Sequence, residues 1–356
     1  MYIKDIYLKN FRNYLEEKVE LEKGINIFYG DNAQGKTNII EAIFISSLGK
    51  SFRTRRDLEL INFEKDKSLI EINYEKTDRD GNIKIELEEN KNIYLNKIKI
   101  KKISELLGNV YTVLFTPDDI NLFRESPSKR RKFLDILISQ LRPAYLYNLN
   151  LYLKTLEQRN SYLKQIKFEN KDESLLEIWD EKLAMHGEKV WNYRYEFLEK
   201  IKEKINIIHS NNTNNNEILK IEYITDFTKK EEFLKILKNN RKQDIIKGYT
   251  GKGLHKDDFI IYINDKLLGI YGSQGQNRTA VLSLKMSELE IFKDEVSEYP
   301  ILLLDDFMSE LDSNRRNNLL KFIENIQVII TCTDKLNDKE INAKYFKVEK
   351  GKINKE

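Results

Sequence analysis

Three short stretches carry residue types and spacings suited to nucleoside triphosphate chemistry. The first is Gly30-Asp31-Asn32-Ala33-Gln34-Gly35-Lys36-Thr37, which meets the phosphate-loop pattern G-x-x-x-x-G-K-[ST] at every fixed position. The two glycines let the backbone curl so that successive N–H groups face one anion. Lys36 can reach the outer phosphates, and the Thr37 hydroxyl can hold Mg²⁺. Residues 25–29 in front read as a short strand and 38–48 behind as a helix, whose start adds partial positive charge at the same spot. That context makes a chance match rare, and it predicts a triphosphate site built from residues 30–37 and Asn38.

The second stretch is Asp305-Asp306, at the end of the apolar run Ile301-Leu302-Leu303-Leu304. Such a run is expected of a strand buried on both faces. A carboxylate at the strand's C-terminal end can meet the Mg²⁺ beside Thr37, so Thr37 and Asp305 form the expected metal pair. Asp306 points the other way along the strand and could orient or activate an attacking water. With Lys36 these two acids make the expected catalytic set. Because Asp is one methylene shorter than Glu, slow hydrolysis is expected.

The third stretch is Ser273-Gln274-Gly275-Gln276, directly before a helix over 278–292 that buries Leu282, Met286, Leu289 and Phe292 at helical spacing. Alone, Ser-x-Gly at a helix start is an ordinary N-cap or an anion site. Beside a phosphate loop in the same chain, it suggests a γ-phosphate held between two copies.

These stretches need positioning elements. Residues 2–8 and 19–28 alternate as paired strands do, and 69–74, 83–88 and 93–100 form a further antiparallel set. From about 144 to 210 the chain reads as a helical hairpin broken near Asn170-Lys171-Asp172, its first arm roughly 23 residues or 35 Å. Leu149, Leu153 and Leu156, and then Trp179, Leu183, Val190, Phe197, Ile201, Ile205 and Ile208, form its packing stripes. Residues 211–216, Asn-rich, read as a mobile turn closing this lobe. Strand-helix alternation returns with 259–263, 301–305, 328–331 and 345–348. The expected organisation is an ATPase lobe over 1–120, a helical lobe over 121–248, and the rest of the ATPase over 249–356.

The chain carries 61 basic and 58 acidic residues, so nucleic-acid contact must come from local patches. Arg53, Arg55 and Arg56 in one loop, and Lys129, Arg130, Arg131 and Lys132 on a helix opened by Pro127, are the candidates. Solvated surface is an equally good reading of both. The single cysteine, Cys332, excludes an intrachain disulfide. Without an apolar leader or an eighteen-residue apolar run, a cytoplasmic protein with no membrane partner is expected.

The combination resembles ATPases of the ABC class, within them the SMC-like branch, and there the RecF family. Asn10-Phe11-Arg12-Asn13-Tyr14, the phosphate loop, and Lys50-Ser51-Phe52-Arg53-Thr54 are similar to that family's opening. Pro117-Asp118-Asp119 with Pro127, Arg130, Arg131, Phe133, Leu134 and Asp135 are similar to its central signature. Gly253, His255, Asp257 and Asp258, then Ser273-Gln274-Gly275-Gln276, then Asp305-Asp306 with Ser309-Glu310-Leu311-Asp312 complete the set, the last two as ABC signature and Walker B with D-loop. Glu125, Leu254 and Lys256 depart from the usual Gly, Pro and Arg. Thr331-Cys332-Thr333 stands where many ABC ATPases carry a γ-phosphate-sensing His, so a hydroxyl would serve. The resemblance implies an ATP- and Mg²⁺-dependent homodimer with a weak, DNA-stimulated ATPase. It implies binding of duplex DNA and of single-strand/duplex junctions, recombinase loading, and RecO and RecR partners. The alternatives are an SMC-like ATPase with another DNA role and the ATPase subunit of a transporter.

Overall fold

The computed structural model describes residues 1–213, 217–335 and 342–355. It resolves into two compact units, 1–120 with 281–356 and 121–280. The fold is α/β: an ABC-type P-loop ATPase head with an antiparallel β subdomain, and a mostly helical second unit. Residues 249–280, expected with the ATPase segment, group with the second unit instead. The physical reason is strand pairing: Asp258–Ile263 pairs antiparallel with Leu219–Ile224.

The first unit holds two six-stranded sheets. In one, Thr112–Phe115, Ile301–Asp305, Val328–Cys332, Ile25–Tyr29 and Ala343–Glu349 lie parallel in that order, with Lys352–Lys355 turning back on the edge. Every residue of Ile301–Asp305 is buried, which is why the run carries no alternation. The register sets Phe28 beside Thr331 and Thr331 beside Asp305. The strand feeding the phosphate loop and the strand ending in the acid therefore finish at the same edge. The second sheet runs antiparallel through Tyr14–Glu20, Tyr2–Phe11, Ser68–Glu75, Asp80–Leu87, Lys91–Leu95 and Ile98–Lys99. The strand expected over 93–100 is split by left-handed Asn96 and Lys97. The helix Lys36–Leu48 is buried along nearly its whole length.

In the second unit, Pro127–Leu141, Pro143–Glu169, Leu176–Thr213 and Lys230–Lys247 are helices. The hairpin arms have 27 and 38 residues, about 40 and 57 Å at 1.5 Å per residue. The first arm is somewhat longer than the roughly 23 residues expected. The reversal comes at left-handed Asn170, close to where it was expected. Of the stripes, Leu153 is exposed while Leu149 and Leu156 are buried, because the packed face follows Tyr145, Tyr152 and Arg159. The second helix continues through Thr213, so 211–213 is not a turn; 214–216 lie outside the described residues. Nor does this segment close the unit, since a strand and the helix Lys230–Lys247 follow it.

Buried ion pairs bolt this unit together. Arg130 meets Asp258 with two hydrogen bonds of 2.7 and 2.8 Å. Arg194 reaches Asp135 at 3.0 Å and Asp257 at 3.5 Å. Fully buried Arg159 joins Asp180 and Asp244. Among the described residues no helix is long and apolar enough to cross a membrane.

Candidate nucleotide site

The phosphate loop is shaped by what surrounds it. Gly30 has φ 147° and Gly35 φ 116°, both in left-handed territory. A Cβ on Gly30 would lie 2.4 Å from the Val348 carbonyl oxygen, and one on Gly35 2.6 Å from the Asn13 amide nitrogen. Only glycine satisfies both demands. Gly35 precedes the helix that begins at Lys36, leaving that helix's first N–H groups to face an anion. The Lys36 ammonium donates to the carbonyls of Gly30 at 2.6 Å and Asp31 at 2.9 Å. An ammonium has three donors, so one remains for a phosphate oxygen.

Residues outside the pattern hold the loop still. Asn13 donates to the Gln34 carbonyl at 2.7 Å and accepts from the Asn38 amide at 2.8 Å. Tyr14, fully buried, donates to the Gly35 carbonyl at 2.9 Å. On the other side, the turn joining Ala343–Glu349 to Lys352–Lys355 donates from Lys350 N–H to Gln34 Oε1 and from Gly351 N–H to the Gln34 carbonyl. In sequence, Asn13 and Tyr14 belong to the family resemblance without any stated task. Their only local signal is position: Asn13 stands in the turn after Tyr2–Phe11, and Tyr14 opens the strand Tyr14–Glu20.

Asp305 closes the site. Its Oδ1 accepts from the Thr37 hydroxyl at 2.8 Å, across 268 residues of chain, and from the Thr331 hydroxyl, also at 2.8 Å. Burial pushes its carboxyl up, with the two hydroxyls opposing. A hydroxyl and a carboxylate in contact are the hard oxygen donors Mg²⁺ takes beside phosphates, so this pair suits that ion. Asp306 sits in the left-handed region at φ 49°, with its N–H donated to Thr331 Oγ at 3.0 Å. A non-glycine residue held there is characteristic of functional sites. Thr331 is thus committed to both acids, while Thr333 is exposed and its carbonyl accepts the Gly30 N–H at 3.2 Å.

At the signature, Gln276 N–H donates to Ser273 Oγ at 3.1 Å and Ser273 N–H to Gln276 Oε1 at 2.9 Å. This is a reciprocal capping box. It starts the helix Gln274–Val296, earlier than the expected 278. The Gln276 amide nitrogen donates to Glu217 at 2.9 Å, whose other oxygen takes a 3.2 Å contact from His209 Nε2. Burial keeps His209 below its usual range. Arg124 donates to the Gly272 carbonyl at 2.8 Å, and Asn277 to the carbonyls of Gly272 and Ser273. Gln276, expected to touch nucleotide, has its side chain engaged at both ends. Gln274 is exposed and Gly275 half-buried.

The basic candidates separate. Arg53 is partly exposed and donates to Asn38 and to buried Glu41, which also takes two hydrogen bonds from Arg12. Arg55 and Arg56 are exposed. Arg130 is buried against Asp258, and half-buried Arg131 donates to the Asp257 carbonyl, so neither offers its charge to a surface ligand. Lys129 pairs with Glu125, and Lys132 is exposed. His255 is structural: Nε2 donates to the Thr250 carbonyl at 3.0 Å and Nδ1 accepts from Tyr152 at 3.1 Å. Buried Leu254 sends its carbonyl to Arg194, and Glu125 its own to Arg130, so these departures are absorbed through backbone atoms.

The family described as RecF/RecN/SMC N terminal domain matches residues 2–354. The DNA replication and repair protein RecF of Clostridium kluyveri is 44% identical over 364 residues, covering 100% of both chains. A solved structure of the recombination mediator protein RecF-ATP in the RecFOR pathway is 41% identical with TM-score 0.93, covering 100% of this chain and 97% of its own. The Smc head domain of Pyrococcus furiosus, at 16% identity and TM-score 0.58, shares the fold. Full-length identity of this size, on a phosphate loop and acid pair so arranged, means that the chain belongs to the RecF family of SMC-like ATPases.

Proposed function

We propose that this chain binds ATP with Mg²⁺, that bound ATP joins two copies, and that the joined form holds DNA where a single strand meets duplex, in recombinational repair and replication restart. The observation that carries the reading is the 2.8 Å contact between Thr37 and Asp305, which brings a complete phosphate loop to a Walker B acid. The names of the relatives support the general role, and the RecFOR pathway supports RecO and RecR as partners.

In this reading the loop N–H groups and Lys36 bind the β- and γ-phosphates. Thr37 and Asp305 hold Mg²⁺, which offsets phosphate charge when bound. Thr331 fixes Asp305 in place, and Asp306 orients water for slow hydrolysis that resets the assembly. Ser273 and Gly275 of the second copy close on the γ-phosphate, so ATP acts as interface glue and its loss weakens the dimer. DNA is held chiefly through its phosphates, with Arg53, Arg55, Arg56, Lys129 and Lys132 as contacts. Sedimentation of the protein with and without ATP, Mg²⁺ and a gapped duplex tests this. A dimer and a DNA complex should form only with nucleotide. A monomer indifferent to all three overturns the proposal.

A further inference from the structure

The second unit carries a basic surface that the phosphate-site motifs do not include. Across residues 233–256 the chain has seven Lys and Arg against one acid, Asp244, although its overall charge is nearly balanced. Asp244 is buried under Arg159, and two of the seven cations are taken, Arg241 by Asp180 and Lys252 by Asp226. Lys235, Lys238, Lys242 and Lys247 are exposed and have no ion pair among the described residues.

Three of them share one face of the helix Lys230–Lys247. Phe233, Leu237 and Asp244 are its buried residues. At 100° per residue, Lys235 and Lys242 fall opposite that face and Lys238 flanks them, with Asn239 and Gln243 on the other side. Exposed Ile246 continues the stripe, and exposed Lys247 and Tyr249 follow at the helix end, where Lys164 of the neighbouring helix packs against Gly248. Among the described residues, neighbouring acids do not neutralise Lys235, Lys238 and Lys242 as they do exposed Lys129, Lys171 and Lys252, which pair with Glu125, Glu169 and Asp226. Nor does the helix dipole explain the stripe, because Lys235 and Lys238 stand in the first half of the helix, away from its negative end.

We infer that this face, centred on Lys235, Lys238 and Lys242, is the surface on which the second unit takes the phosphate backbone of duplex DNA. Charge complementarity selects the partner. From Lys235 to Lys242 the helix rises about 10 Å, the axial rise of about three base pairs. Asn239 and Gln243 add neutral donors to phosphate oxygens, and contacts to the backbone carry no sequence information, so binding through this face is independent of sequence. The inference rests on the DNA-binding reading above and names where it acts.

The test is fluorescence anisotropy of a labelled 30-base-pair duplex with ATP and Mg²⁺ at several salt concentrations, using wild type, K235E/K238E/K242E, K235Q/K238Q/K242Q and K235R/K238R/K242R. The Glu variant should weaken binding at least tenfold. The Gln variant should lower the salt slope by about two to three, near 0.9 for each phosphate it no longer neutralises. The Arg variant should keep both affinity and slope. ATP affinity and melting temperature should match wild type in all three. A Gln variant with wild-type affinity and slope overturns the inference and leaves the DNA reading standing. A wild type that does not bind the duplex at any salt overturns that reading and this surface with it. If the variants keep duplex binding but fail to bind an acidic protein partner, the face belongs to protein and the inference is also overturned.

Discussion

Lys36 spends two of its three N–H donors on its own loop. A bound phosphate therefore meets a cation already aimed, with little ordering left to do. Lys36→Ala should remove ATP binding, seen as at least a hundredfold loss in calorimetric titration; near wild-type affinity would contradict the site. Thr331→Val takes a 2.8 Å donor from Asp305 and the acceptor from the Asp306 N–H. It should cost about 1–3 kcal/mol in stability and slow single-turnover hydrolysis about tenfold while ATP still binds. A third residue makes a pH argument. Glu288 is fully buried 3.6 Å from Lys285, and desolvation pushes it up to about 7 against that lysine's pull. A carboxyl raised in the folded state holds its proton where the unfolded chain has lost it, so stability should fall as pH rises from about 4.5 to 7. Glu288→Gln should flatten that fall in urea titrations at pH 5 and 8; an unchanged slope would show that the carboxyl stays ionised. At this scale the sequence was legible where chemistry has a fixed spacing, as at Gly30, Lys36 and Thr37. It was silent on Glu217, which meets Gln276 from 59 residues upstream, because no local rule encodes such a contact.

Among the elements, the strand Ile301–Asp305 was readable because burial on both faces removes alternation, and the helix after Gly35 because a loop of that pattern must end in one. The segment 217–252 gave no comparable signal. Its helix Lys230–Lys247 buries only Phe233, Leu237 and Asp244 and exposes lysines around the rest, so no broad apolar stripe announces it. Basic residues on Pro127–Leu141 misled for a related reason. Charge in sequence does not reveal that Arg130 faces inward to Asp258. Arg130→Ala strands that carboxylate inside the second unit and should lower stability by about 3–5 kcal/mol in chemical denaturation. A loss under about 1 kcal/mol, the range of an exposed pair, would mean the pair is solvated in solution.

At the scale of the molecule, the proposal needs two copies. Ser273→Arg should leave ATP affinity intact and abolish nucleotide-dependent dimerisation in sedimentation, since the side chain fills the start of the signature helix; a full dimer would remove the two-sided clasp. Overall architecture was legible as a split ATPase with a helical insert. The insert's far boundary was not, because a strand over 259–263 looks the same whichever sheet it joins. The bracket on the phosphate loop carries a further consequence. Gln34 is gripped by Lys350 across 316 residues. During synthesis the ribosome therefore makes the loop long before it makes the clamp that steadies it. A nascent chain that ends short of the Ala343–Glu349 hairpin would hold the loop from the Asn13 and Tyr14 side alone, so its grip on a triphosphate should tighten only when the last strands are made.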